Sequence, residues 1–535
     1  MAAWGVATLG ALAWIGACSP STDELLTDAK YGTTGAGGTG GHGGSTTTTT
    51  GTGGKPPVEC KGDPSMDPTL VVDQCGVFVR ADAATEGNGD MDTPYKTLQA
   101  AIDKAALAGK WVFACNAGEL KENVAITKPV AVYGGFDCSS STEWVWAKDT
   151  KTKLTGAPNT IILSIATTAS DVSLHDLAIT APPSAAAMIG GSSIAVIIDS
   201  ATATLERCDI TAGDAVDGAA GDDASSSPPP TPSKTAMNDG KNACAALGGD
   251  QATGGSEQTN DCGGNVSSVG GLGGGSTKSG GLPGIAGDAT PPPANPAGKG
   301  GLADTACASG GSGGEGADGD PGEPGIAGTG IGAIDGTLGW SGLAAKAGEP
   351  GKPGQGGGGG GGKKGGNAVC SGGPGAGPTG GSGGAGGCGG LAGGGGRPGG
   401  SSIALVSINT NKSVISLIDC KLKAGKGGAG GRGGNAQPGG SGEAGGTGGL
   451  GAPAGLTDAC NGGKGGAGGA GGPGGGGPGG HSLAIAYSGD KPVLAKSTLT
   501  PGMPGAAGPG GVVGNTTGPS GDPGKAPADG TLVFP

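Results

Sequence analysis

A two-strand pattern recurs along this chain, with copies that lie near and far apart. Ser193-Ile194-Ala195-Val196 precedes Leu205-Glu206-Arg207-Cys208-Asp209-Ile210, which closes at Gly213. Ser402-Ile403-Ala404-Leu405 precedes Leu417-Ile418-Asp419-Cys420-Lys421-Leu422, which closes at Gly425. A third copy runs from Ser482-Leu483-Ala484-Ile485 to Gly502, with Ser497 in the cysteine position. A partial copy, Ser173 to Ala181, lies one unit upstream of Thr204 to Ala212. Units this short cannot bury an apolar face alone, so they must stack on one another, and the pattern predicts a β-solenoid with one continuous core.

The remaining β-rich runs agree. Trp111 to Ala114, Val124 to Ile126, Val130 to Tyr133, Ile161 to Leu163 and Val172 to Leu174 are each short and bounded by turn residues. No useful helix separates them, which excludes a doubly wound α/β sheet. Apolar residues recur at helical spacing once, in Leu98, Ala101, Ile102 and Ala105, and predict a helix over 94–108 stopped by Gly109.

The long intervals between the copies consist largely of glycine, which supplies 132 of 535 residues. Glycine buries little apolar surface and loses the most backbone freedom on ordering. The intervals 214–400 and 426–480 leave and rejoin the repeat at the same point, so they are insertions at one corner of successive coils. Glycine recurs at a period of three from Gly316 to Gly328, too briefly for a collagen triple helix. Disorder or loosely packed, polyproline-like extended chain is the expectation. The expected organisation is a signal peptide at 1–18, a flexible Gly/Thr/Ser tether at 19–57 and a first coil region at 58–213. Coils at 401–425 and 481–502 follow their insertions, and 503–535 forms a Gly/Pro-rich tail.

Thirteen cysteines without a CxxC pair favour an oxidising compartment over zinc sites. The short apolar stretch over residues 1 to 17 has the form of a signal peptide. Ile15-Gly16-Ala17-Cys18 resembles a bacterial lipobox, which implies lipidation of Cys18, and Ser19 does not favour inner-membrane retention. The expected location is the cell envelope, at the outer membrane or cell surface. A net charge of −13 argues against a nucleic acid partner.

The order Thr93-Pro94-Tyr95-Lys96-Thr97-Leu98-Gln99-Ala100-Ala101-Ile102, then Val112-Phe113-Ala114, Glu122-Asn123-Val124 and Val132-Tyr133-Gly134-Gly135-Phe136 resembles the opening of pectin-lyase-like proteins. That resemblance implies an all-β fold, a right-handed parallel β-helix with one N-terminal capping helix. It specifies fold far better than activity. The glycine tracts resemble PGRS-type sequence in composition alone.

Catalytic candidates are weak. Asp171, Asp176, Asp199, Asp209 and Asp419 stand singly and read as solvated turn or outward positions. His175 and Asp176 fall on opposite faces by strand alternation and form no local dyad. Trp144 and Trp146 share a face and could offer a sugar platform, although packing of a loop is the plainer reading. Glycine runs such as Gly356 to Gly362 lack the ending of a phosphate loop. No cofactor or metal is expected. Cys208 and Cys420 hold equivalent repeat positions and would stack one strand apart, within disulfide reach. Cys115 with Cys138, Cys60 with Cys75 and Cys244 with Cys262 are further candidate pairs.

These readings favour a non-enzymatic, lipid-anchored surface protein that displays glycine-rich chain from a β-helix stem, structural or adhesive, with a surface polysaccharide or matrix protein as partner. The alternative is a carbohydrate-binding or polysaccharide-degrading protein that uses the flank of the β-helix. Charged side chains converging in a groove would favour this alternative.

Overall fold

Short β-branched runs that alternate inward and outward residues pair here into three sheets. In a computed structural model of the chain, residues 59–535 are described, apart from 167, 189, 232, 246–250 and 410–412. The expected signal peptide, Cys18 and the tether lie outside the described residues. The first sheet orders Gly76–Val79, Trp111–Cys115, Ala131–Asp137, Val172–His175, Ala203–Glu206, Ile415–Ile418 and Val493–Ala495, all parallel. Val145–Trp146 adds to it antiparallel, against Ala131–Asp137. The second sheet orders Glu119–Lys121, Thr152–Thr155, Leu177–Ala181, Asp209–Ala212, Lys421–Lys423 and Thr498–Thr500. The third orders Val124–Ile126, Leu163–Ile165, Ser193–Asp199, Ser402–Asn409, Ser482–Gly489 and Thr531–Val533.

Register turns the sequence repeat into columns of like side chains. Val112, Val132, Leu174, Leu205, Leu417 and Leu494 are successive partners in the first sheet. Leu120, Leu154, Ile179, Ile210, Leu422 and Leu499 are successive partners in the second. Leu163, Val196, Leu405 and Ile485 are successive partners in the third. Nearly all of these side chains are buried in one cluster, and each contributes roughly 1.5–3 kcal/mol. The segments around 195, 404 and 484 are therefore strand neighbours despite their separation in sequence.

Between the first and second sheets the chain turns through a tight corner. Asp176, Arg207, Asp419 and Lys496 occupy equivalent corner positions with φ of 53°, 51°, 53° and 55°. A left-handed backbone at non-glycine residues costs about 1–2 kcal/mol each, and its recurrence marks the corner as an architectural element. The helix spans Leu98–Ala108 and ends at Gly109 in the left-handed region. It starts four residues later than expected because the Tyr95 amide donates to Phe78 O, which holds that segment extended. The Leu98 and Gln99 amides, orphaned at the helix start, donate to the carboxylate of Glu122 at 2.6 and 3.0 Å.

Every large excursion occupies the connection between the second and third sheets. The chain leaves after Ala212, Lys423 and Thr500 and rejoins at Ser402, Ser482 and Thr531. The final stretch is thus not a free tail: Thr531–Val533 pairs with Ser482–Gly489, and Phe534 is buried beyond it. The outward face of the third sheet is apolar. Ile194, Ile197, Ile403, Val406 and Leu483 pack there against Trp340, which the large excursion supplies, and Phe534.

Disorder does not describe the glycine-rich excursions. Gly313, Gly316, Gly319, Gly322, Gly325 and Gly328 donate to the carbonyls of residues 461, 464, 467, 470, 473 and 476. Gly463, Gly466, Gly469, Gly472 and Gly475 in turn donate to 358, 355, 352, 349 and 346. Gly384, Gly387, Gly390, Gly393 and Gly396 donate to 463, 466, 469, 472 and 475. A three-residue period is that of polyproline II chain, whose backbone has no internal hydrogen bonds and here satisfies itself between segments. A segment such as 378–399 spans roughly 65 Å at about 3.1 Å per residue. The packing explains the composition: a Cβ at Gly383 would lie 1.7 Å from Gly357 O, and one at Gly480 would lie 1.7 Å from Gly400 O. Where a lattice amide lacks a backbone partner, a short polar side chain replaces it. Asp214, Asp217 and Asp223 accept from the amides of Lys426, Ala429 and Asn435 at 2.6–2.7 Å.

Five disulfides lie among the described residues. Cys60 bonds Cys75 and Cys115 bonds Cys138. The expected Cys244–Cys262 pair is replaced by Cys244–Cys370 and Cys262–Cys388, and Cys307–Cys460 joins the two insertions. Lattice register, which brings together residues 126 or 153 apart, sets these pairings. The expected Cys208–Cys420 bridge is also corrected: both are free, buried thiols. They follow neighbouring parallel strands, but Cys420 Sγ faces the Cys208 amide at 3.4 Å and Leu205 O at 3.2 Å. The Cys420 thiol against it and its complete burial push the Cys208 thiol well above its usual range.

Candidate functional site: a charged groove beside the corner

The corner column positions a set of charged side chains on the outside of the fold. Outward residues of the second sheet run Lys153, Ala178, Asp209 and Lys421 in successive register. Alanine in this row leaves a dip between long neighbours. The dip opens into a groove of about 550 Å³ walled by Trp146, Asp176 and Arg207 on the corner side and by Lys148, Asp149 and Lys151 above.

Asp176 organises the wall. Arg207 donates to it twice, Nε to Oδ1 at 2.9 Å and Nη2 to Oδ2 at 2.8 Å. Trp146 Nε1 donates to Asp176 Oδ2 at 3.1 Å, and the Arg207 guanidinium lies 5.7 Å from the Trp146 ring centroid. Arg207 also pairs with Glu206. The Asp176 hydrogen bonds first, then the neighbouring carboxylates, hold Arg207 above its ordinary pKa, against the opposing pull of burial. The expectation that Asp176 is a solvated turn residue is thereby corrected, since it is 3% exposed and fully engaged. Its left-handed corner also takes it out of strand alternation.

His175, at the strand end, lies flat on Tyr133 with centroids 4.4 Å apart and planes 7° apart. Its Nδ1 stands 3.3 Å from Glu206 Oε2, a contact without hydrogen-bond geometry that is ionic only when the imidazole is protonated. Burial lowers the His175 pKa and outweighs the Glu206 carboxylate, while burial pushes Tyr133 up to about 12. Lys151 Nζ lies 2.6 Å from Asp209 Oδ1, again a close ion contact outside hydrogen-bond angles. The side chains of Lys148, Lys153 and Lys421 face the groove and make no ion pair or hydrogen bond among the described residues.

The two tryptophans separate. Trp144 is 2% exposed in an aromatic cluster, edge-on to Phe78 at 4.9 Å, so it offers no sugar platform. Trp146 lines the groove, with one face turned to Arg207. Asp209 and Asp419 also line it; Asp171 and Asp199 are not among its lining residues. Arg207 and the lysines gave no sequence signal by themselves. A repeated link of one or two residues between successive strands was the available clue, since it aligns residues 176, 207 and 419.

Among the described residues no cluster of His, Cys, Asp or Glu could hold a metal ion, and no helix is long and apolar enough to cross a membrane. Comparison with known proteins gives no match to any family model, curated protein or solved structure.

Proposed function

We propose that this chain is a rigid surface scaffold, a right-handed parallel β-helix whose coils carry an ordered glycine-rich body, anchored to the bacterial envelope through lipid on Cys18, with a structural or adhesive role and no catalytic one. The observation that carries the reading is the period-three hydrogen bonding of the insertions, locked by three disulfides. Such a body holds its shape outside the cell and has no need of metal or cofactor. The apolar packing of Trp340 and Phe534 on the third sheet supports it further, because it seats the glycine-rich body against the strands. The three sheets, visited in repeating order with matched columns of aliphatic side chains, support the β-helix.

The test is labelling in a bacterial host with a fatty acid analogue, together with protease accessibility on intact cells. Label and surface exposure that both vanish in Cys18→Ser are expected. Equal export and no label in either form would refute the anchor. A second reading, carbohydrate binding along the flank, is favoured by the groove, where charged side chains from three strands, the corner and the segment 148–151 converge.

A further inference from the structure

We infer that the last strands of the three sheets and the last two rows of the glycine lattice form one face that docks a second copy of this chain, end to end about a twofold axis. The inference goes beyond the scaffold reading and stands on the sheets and the lattice alone.

The two ends of the sheets differ. At the first end the helix Leu98–Ala108 lays Leu98, Ala101, Ile102 and Ala105 on the core. Gln99 there occupies both backbone groups of Ala125, accepting from its N–H at 2.7 Å and donating to its carbonyl at 3.1 Å. At the other end Val493–Ala495, Thr498–Thr500 and Thr531–Val533 are the outermost strands of their sheets, and among the described residues no segment pairs with their outer edges. Unpaired strand edges are templates for another chain.

The lattice ends at the same level. Residues 427, 430 and 433 donate to 503, 506 and 509, so row 503–511 lies on row 425–436 as Thr498–Thr500 lies on Lys421–Lys423. Residues 476, 479 and 482 donate to 519, 522 and 525, so row 518–525 lies on row 474–482 as Thr531–Val533 lies on Ser482–Gly489. Strand edges and rows therefore make one surface. Val493, Met503 and Val533 stand 57%, 61% and 53% exposed on it, and Leu494 and Val512 are exposed beside them.

Charge selects the occupant. The chain carries −13, so two copies repel over most of their surface. Residues 482–535 instead hold three aspartates, Asp490, Asp522 and Asp529, and three lysines, Lys491, Lys496 and Lys525, and are neutral. Lys491 does not guard the edge, because its Nζ is drawn aside to Asp529 Oδ2 at 3.4 Å and Thr531 Oγ1 at 3.0 Å. About a twofold axis the same neutral, apolar face meets itself. Each strand edge then meets one that runs the opposite way, the more stable antiparallel pairing. The two rows cover roughly 28 Å by 10 Å, at about 3.1 Å per residue and about 4.8 Å between chains. With the strand edges each copy offers several hundred Å², the size of a transient interface.

The test is sedimentation equilibrium of the full chain carrying Cys18→Ser, so that no lipid drives association. A monomer–dimer equilibrium with a dissociation constant of about 10 μM is expected. Hydrogen exchange over 493–495, 498–500 and 531–533 should slow as concentration rises. V493D/M503D sets carboxylates on the face and should weaken the dimer at least about tenfold. L302D, at a leucine 58% exposed in the large insertion, should leave it unchanged. Unchanged unfolding curves confirm that both variants are folded. Monomer alone at about 200 μM, well above that constant, would overturn the proposal. So would association that V493D/M503D leaves intact, or growth beyond a dimer.

Discussion

Gly383→Ala strikes the glycine lattice where it is tightest. The new Cβ would lie 1.7 Å from Gly357 O, 2.4 Å from Gly357 C and 3.0 Å from Gly271 N, all backbone atoms that cannot swing aside. The segments must part locally, which costs about 1–3 kcal/mol as overpacking. Parting also stretches the bonds from Gly383 N to Gly271 O at 2.8 Å and from Gly271 N to Gly357 O at 2.9 Å, worth about 1 kcal/mol each. Replacing glycine restricts the unfolded chain and returns about 0.4–1 kcal/mol. The net expectation is a loss of about 3 kcal/mol. Gly280→Ala is the control, since the nearest atom to its Cβ is Asp304 Oδ2 at 3.7 Å, an ordinary contact. Guanidinium unfolding of the oxidised proteins, followed by circular dichroism, reads both variants. Equal midpoints for the two would refute the reasoning, because the close approach would then carry no energy.

Leu417→Ala removes the middle of an aliphatic column and is expected to cost about 2–5 kcal/mol, checked by the same unfolding measurement. Cys307→Ser with Cys460→Ser opens the link between the two insertions, separated by 153 residues; a loss of up to about 5 kcal/mol is expected from chain entropy, and limited proteolysis should find new sites in 426–480. His481 is wedged edge-on between Trp340 and Phe534, with Nδ1 accepting from the Lys525 amide and Nε2 bonded to Ile331 O, and burial lowers its pKa. Because the folded value lies below the unfolded one, its stabilisation is complete above about pH 6.5 and declines as pH falls towards the folded value; His481→Phe should flatten this part of a pH series of melting temperatures.

The parallel strands were legible because their energy resides in side chains. Leu174, Leu205 and Leu417 mark one column in the sequence as clearly as in the fold. The return strand Thr531–Val533 was missed because three residues carry no repeat, and only its pairing and the burial of Phe534 give it meaning. The lattice was illegible for a physical reason: its bonds join backbone to backbone, and glycine leaves no pattern of apolar faces to read. The period of three was its visible trace, over 316–328 and also in the Gly-Gly-X runs of 380–391 and 462–480. Disulfide partners followed the lattice, so proximity in sequence misassigned Cys244 and Cys262. Groove residues came from strands far apart in sequence, and the small side chain of Ala178, which opens the groove, looked like no site at all.

Hydrogen exchange, resolved to individual amides in the oxidised full chain, bears most directly on whether the glycine-rich excursions form an ordered body. Slow exchange is expected at Gly463, Gly466, Gly469, Gly472 and Gly475, comparable to that of the Ser402–Asn409 strand. Exchange of those five amides at the rate of an unstructured peptide, with the strand still protected, would contradict it.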